Sequence, residues 1–128
     1  MKHILFFATL LLLAGSACKK SKKAQLQVTQ DALIGNWTDE YALSSSMLPN
    51  TYSFQANGTY SRFYGITTEP GTYQINQAGS TASTLDITFS PATTSAPSSN
   101  AKIQITSLNR IVVYYNGSTA GRPFLRVP

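Results

Sequence analysis

The chain has 128 residues, ten Lys and Arg against five Asp and Glu, a formal charge of +5 and only 12% charged residues. That length fits one domain, and a single cysteine and a single histidine exclude an internal disulfide framework and a cysteine-cluster zinc site. Lys2, Lys19, Lys20, Lys22 and Lys23 hold half of the positive charge, so from Ala24 onward five basic residues balance five acids. Those five are scattered singly and form no stripe that could track a phosphate backbone, which excludes nucleic acid as a partner.

In chain order, Met1-Lys2-His3 is a short basic start, residues 4–13 are apolar, and Ala14-Gly15-Ser16-Ala17 precede Cys18. The apolar run falls short of the roughly 20 residues that span a bilayer and has the layout of a secretory signal peptide. Small residues directly before the lone cysteine resemble the lipobox of bacterial lipoproteins. That resemblance implies cleavage before Cys18, lipidation of its thiol, and a membrane partner reached through the N-terminal lipid anchor. Several acyl chains anchor stably where one is marginal, and each lysine of Lys19-Lys20-Ser21-Lys22-Lys23 adds roughly 1 kcal/mol at an anionic surface. Residues 1–17 therefore read as a lipoprotein signal peptide, 18–30 as the lipidated cysteine with a basic tether, and 31–128 as the folded domain. Surface-exported lipoproteins of the Bacteroidota usually carry an acidic stretch after the cysteine. The basic one here points to the periplasmic face of the envelope, with the cell surface as the alternative.

Beyond the tether the composition is that of an all-β domain: Tyr, Thr, Ile, Val and Phe are punctuated by turn residues every few positions. A helix-like pattern occurs only at Asp31-Ala32-Leu33-Ile34, about one turn. Eight strands are expected near 36–42, 51–55, 59–64, 71–76, 84–89, 101–107, 110–116 and 122–127. Apolar and polar residues alternate clearly at Leu85-Asp86-Ile87-Thr88-Phe89 and at Ile103-Gln104-Ile105, as half-buried strands require. Ile111 to Tyr115 is apolar on both faces, so its outer face needs cover from the tether, a loop or a partner. Ala56-Asn57-Gly58 is a tight hairpin turn because Asn-Gly tolerates positive φ. Sequential strands joined by turns describe an antiparallel meander, and eight can close into an up-and-down barrel that has no free edge.

Four pieces, Gly35-Asn36-Trp37, Tyr52 to Tyr60, Gly71-Thr72-Tyr73 and Phe124-Leu125-Arg126, resemble in order and spacing the small lipocalin-like domains of Bacteroidota lipoproteins. The resemblance implies a small lipocalin-like β-barrel with an open and a closed end. It also implies a structural pair at the barrel bottom, Arg126 stacked over the Trp37 indole, worth about 0.5–2 kcal/mol. In such a meander the connections Leu43 to Asn50, Gly65 to Pro70, Ser90 to Asn100 and Gly117 to Gly121 share one end. They are expected to form the open mouth, with Met47 and Leu48 as an apolar lid and Glu69 and Arg122 as rim charges able to orient a polar headgroup. These four are the candidate ligand-binding residues.

Catalysis is not expected. After the tether there is no His and no Cys, which removes a histidine-based triad and a thiol nucleophile. No phosphate-binding or dinucleotide-binding glycine motif occurs, and the acids are too isolated to chelate a metal; Asp39 and Glu40, being adjacent, point to opposite faces of a strand. Neither cofactor nor metal is expected. Two function classes follow: a barrel binding a small apolar or amphipathic molecule at its open end, or a non-catalytic accessory lipoprotein docking an envelope protein. An interior cavity of about 300 Å³ or more would favour the first, a solid interior with an exposed apolar patch the second.

Overall fold

The computed structural model describes residues 29–45, 48–93 and 95–128. A helical turn at 29–33 precedes eight strands: β1 (Gly35–Asp39), β2 (Asn50–Phe54), β3 (Thr59–Tyr64), β4 (Thr67–Ile75), β5 (Thr84–Pro91), β6 (Ser99–Ser107), β7 (Arg110–Tyr115) and β8 (Arg122–Val127). Each strand pairs antiparallel with the next and β8 returns to β1, which closes the up-and-down barrel. Closure follows from the sequence pattern. Every strand contributes at least one side chain or glycine to the packed interior, and joining the first strand to the last removes both edges that would otherwise expose unpaired backbone groups.

All eight expected strands are present, but β1 ends at Asp39 and not at residue 42, β5 and β6 each extend two residues into the expected Ser90–Asn100 loop, and β4 begins earlier than expected. The segment Gly65 to Pro70 is no loop: Gly65, at φ +66°, and Ile66 make a tight turn, and Thr67 and Thr68 pair with Tyr64 and Phe63. Two β-branched residues after a glycine turn favour the extended chain. Pro70 is tolerated because it sits at the margin of the β4–β5 ladder, whose outermost pair is Gly71 and Pro91; its carbonyl accepts from Ala92 N–H at 2.8 Å. At Gly71 the strands cross so closely that a Cβ would lie 2.5 Å from the Ser90 carbonyl oxygen and 2.6 Å from the Tyr60 ring.

The core is a column of inward side chains. Leu33 and Trp37 fill the closed end; Phe54, Phe89 and Phe124 fill the middle, walled by Leu85, Ile87, Ile103, Ile111 and Val113. Tyr52 lies within 5.4 Å of the ring centres of both Phe54 and Phe124 and 5.9 Å from that of Phe89. Rings at such spacings are in contact, each pair adding about 0.5–1.5 kcal/mol beyond its buried area. The outer face of β7 is covered by the chain itself: Gly121 lies so close to Val112 and Tyr114 that a Cβ there would meet them at 2.4 and 2.6 Å.

At the closed end the Trp37 indole N–H donates to the Leu33 carbonyl at 2.8 Å, and the Arg126 guanidinium lies 4.4 Å from the Trp37 ring centre. Trp37 and Arg126 are register partners on β1 and β8. The same guanidinium donates to the carbonyls of Leu108 and Ile34, each at 2.8 Å, and of Ala32. Arg126 thus ties the helical turn, the β6–β7 turn and the barrel wall to one cation.

Candidate functional site at the open end

Side-chain parity places a set of polar groups at the open end. In β1 the inward row runs Gly35, Trp37, Asp39; in β8 it runs Arg122, Phe124, Arg126; in β3 it is Tyr60, Arg62, Tyr64. The barrel is therefore apolar at its bottom and middle and polar at its mouth. Asp39 is wholly buried, accepts the Arg122 guanidinium as an ion pair, and also accepts the Tyr41 backbone N–H at 2.9 Å. Glu40, on the opposite face, pairs with Arg110 at 3.0 Å.

Next to this pair Arg62 lies among tyrosines, its guanidinium carbon 5.0 Å from the ring centre of Tyr64 and 5.4 Å from those of Tyr52 and Tyr115. Its Nε–H donates to Asn50 Oδ1 at 3.3 Å. The hydroxyls of Tyr52 and Tyr115 share a hydrogen bond of 2.8 Å, which closes the polar layer over Phe54, Phe89 and Phe124. Burial pushes the pKa of Tyr52 and of Tyr115 above the ordinary 10.0, because an ionised phenolate would lose its hydration there; Arg62 pulls both back only in part. Tyr60 is raised as well, first by burial and then by its hydrogen bond to Glu69.

A pKa raised on folding means that the native barrel holds its phenolic protons more tightly than the unfolded chain does. Stability is therefore complete below pH 10 and declines above it, as unfolded tyrosines ionise and buried ones do not. A loss of stability is expected between pH 9.5 and 11, shared by Tyr52, Tyr115, Tyr60 and Tyr73, all of which burial raises. Urea denaturation across that range measures it, and the double variant Tyr52→Phe/Tyr115→Phe should make the dependence shallower, leaving the part carried by Tyr60 and Tyr73.

The expected site residues separate in space. Arg122 reaches into the mouth as the partner of Asp39. Glu69 stands in β4 opposite Arg62, not in a loop, and accepts the Tyr60 hydroxyl at 3.0 Å. Leu48 is 64% exposed in the β1–β2 connection, and Met47 and Cys18 lie outside the described residues. Arg62, Asn50, Tyr52, Tyr115 and Asp39 were not among the candidates. The signal for them was parity: with Trp37 inward, Asp39 must be inward too, and with Tyr60 inward so is Arg62.

Above this layer the rim is apolar. Tyr41, Leu43 and Leu48 in the β1–β2 connection, Tyr64 at the end of β3 and Ile66 in the β3–β4 turn are all exposed, Ile66 to 92%. The two connections lie close together, since Leu48 Cδ1 is 3.7 Å from where a Cβ on Gly65 would be. Four depressions of about 410–520 Å³ are open to solvent and lined mainly by residues of the outer wall or the closed end. Among the described residues no group of three or more His, Cys, Asp or Glu comes together as metal ligands would.

No protein-family model matches the chain, and no curated protein matches it. Among solved structures the barrel is similar to the crystal structure of Treponema pallidum Tp0751 (pallilysin), with a TM-score of 0.60 and 12% sequence identity. The match covers 84% of this chain and 92% of that one. At that identity the likeness is one of fold: two chains with few residues in common close the same kind of barrel.

Proposed function

We propose that this chain is a cell-envelope lipoprotein whose lipocalin-like barrel is a non-catalytic docking module, engaging a protein partner through its open-end rim. The observation that carries the reading is the rim itself: Tyr41, Leu43, Leu48, Tyr64 and Ile66 are exposed together at one end, above an interior already filled with rings. Contiguous exposed apolar groups with polar neighbours mark interaction surfaces, whereas small-molecule sites are concave. Aromatic contacts of 5.4–5.9 Å around Tyr52 leave a carried molecule no room in the middle of the barrel. Accessory docking accordingly fits better than carriage of a small apolar or amphipathic ligand.

The proposed anchor suits this use. Thr29, at the start of the described chain, donates to the Ala82 carbonyl in the β4–β5 connection, which belongs to the closed end. A lipid on Cys18, reached through the basic tether, then holds the closed end toward the membrane and presents the rim away from it, facing the periplasm.

The test is site-specific photo-crosslinking from position 66 in cells expressing the full chain. One discrete protein adduct is expected. It should fall at least tenfold with Leu48→Asp, stay unchanged with Leu108→Asp at the far end, and leave the membrane fraction with Cys18→Ser. Surface substitutions of this kind normally change stability by no more than about 0.5 kcal/mol, so a lost adduct reports the interface. Equal adducts from positions 66 and 108, or a small molecule retained stoichiometrically in the native mass spectrum, would overturn the docking reading.

A further inference from the structure

The four arginines of the chain differ in how their hydrogen-bonding capacity is met. Arg110 has Glu40, Arg122 has Asp39, and Arg126 has three backbone carbonyls beneath its stacking contact with Trp37. Arg62 is half-buried, uses only its Nε–H, and has no carboxylate among the described residues within 4.0 Å. The acid opposite it in register, Glu69, gives an oxygen to the Tyr60 hydroxyl instead. A guanidinium carries five N–H donors and no acceptor, so the rest of this fork has no acceptor among the described residues. The tyrosine rings around it attract the cation through their faces and fix its position, but they offer no planar pair of oxygens.

We infer that Arg62 is the anchor of the docking rim and takes a carboxylate side chain of the partner, presented between apolar side chains that cover Leu48, Tyr64 and Ile66. This rests on the docking reading and adds the chemistry of the partner. Four features support it. The cation is in place before binding, so little side-chain entropy remains to be lost. The fork matches a carboxylate in two parallel hydrogen bonds, which an ammonium cannot reproduce. Arginine and tyrosine inside an apolar ring are also the composition of interface residues that dominate binding energy. The neighbouring ion pairs Asp39–Arg122 and Glu40–Arg110 neutralise themselves, which leaves Arg62 as the mouth cation that an incoming acid would pair with.

The experiment pans a random dodecapeptide library on the detergent-solubilised full chain. Enriched peptides are expected to carry Asp or Glu flanked by apolar residues, to bind Arg62→Gln at least tenfold more weakly, and to bind Arg62→Lys several-fold more weakly although the charge is kept. Melting curves of both variants establish that they fold; Arg62→Lys keeps the test usable if Arg62→Gln does not. Peptides without acid enrichment, or binding unchanged by Arg62→Gln while Ile66→Asp abolishes it, would overturn the role of Arg62 and leave rim docking standing. Binding indifferent to both substitutions would overturn rim docking as well. Stoichiometric binding of decanoate that needs Arg62, without acidic peptides, would replace the partner side chain by a free amphiphile and overturn the inference.

Discussion

Replacing Trp37 with alanine is expected to lower the stability of the barrel by about 4 kcal/mol and its melting temperature by roughly 20 °C. Three interactions end together. The indole is wholly buried at the closed end, its N–H is satisfied by the Leu33 carbonyl at 2.8 Å, and its ring carries the Arg126 guanidinium at 4.4 Å. Alanine leaves a cavity where the helical turn meets the barrel, an unpaired carbonyl, and a cation without its platform. A double-mutant cycle with Arg126→Ala isolates the last of these, and a coupling of about 1 kcal/mol is expected. Chemical denaturation of the single and double variants measures both. A loss below 2 kcal/mol for Trp37→Ala would mean that the closed end is held mainly by the Arg126 hydrogen bonds to Leu108, Ile34 and Ala32.

The closed end and the middle of the barrel were also the parts of the molecule most readable from sequence. Leu85, Ile87 and Phe89 alternate with polar residues and all three are buried, and Gly58 adopts φ +81° in the turn that Asn57-Gly58 announces. These signals are local, because a strand's period and a turn's dihedral angles are set by neighbouring residues. The first half of β4 escaped because Gly65 and Pro70 punctuate it as a loop would, and only pairing with β3 shows it to be extended. The mouth escaped for a different reason. Tyr52 and Tyr115 are 63 positions apart and Asp39 and Arg122 are 83 apart, so each pair exists only through barrel closure. Sequence could state that Asp39 and Glu40 face opposite sides. It could not state which of them met an arginine across the β1–β8 seam.

That seam is where the second large effect is expected, and the two partners should not be equivalent. Asp39 is 0% exposed whereas the Arg122 side chain is 42% exposed. Removing the arginine strands a carboxylate with the Tyr41 N–H as its remaining hydrogen bond; removing the charge from the aspartate strands only a cation that can turn outward to water. Arg122→Ala is therefore expected to cost about 3 kcal/mol, in the range for breaking a buried pair from one side. Asp39→Asn keeps an acceptor for Tyr41 N–H and should cost about 1 kcal/mol. Urea denaturation at neutral pH gives both values. The order matters more than the sizes, because equal losses would place the pair in water and make the mouth a solvated rim. A larger loss for Arg122→Ala would identify Asp39 as the dry end of the polar layer, which lets the pair neutralise itself and leaves Arg62 as the cation facing outward.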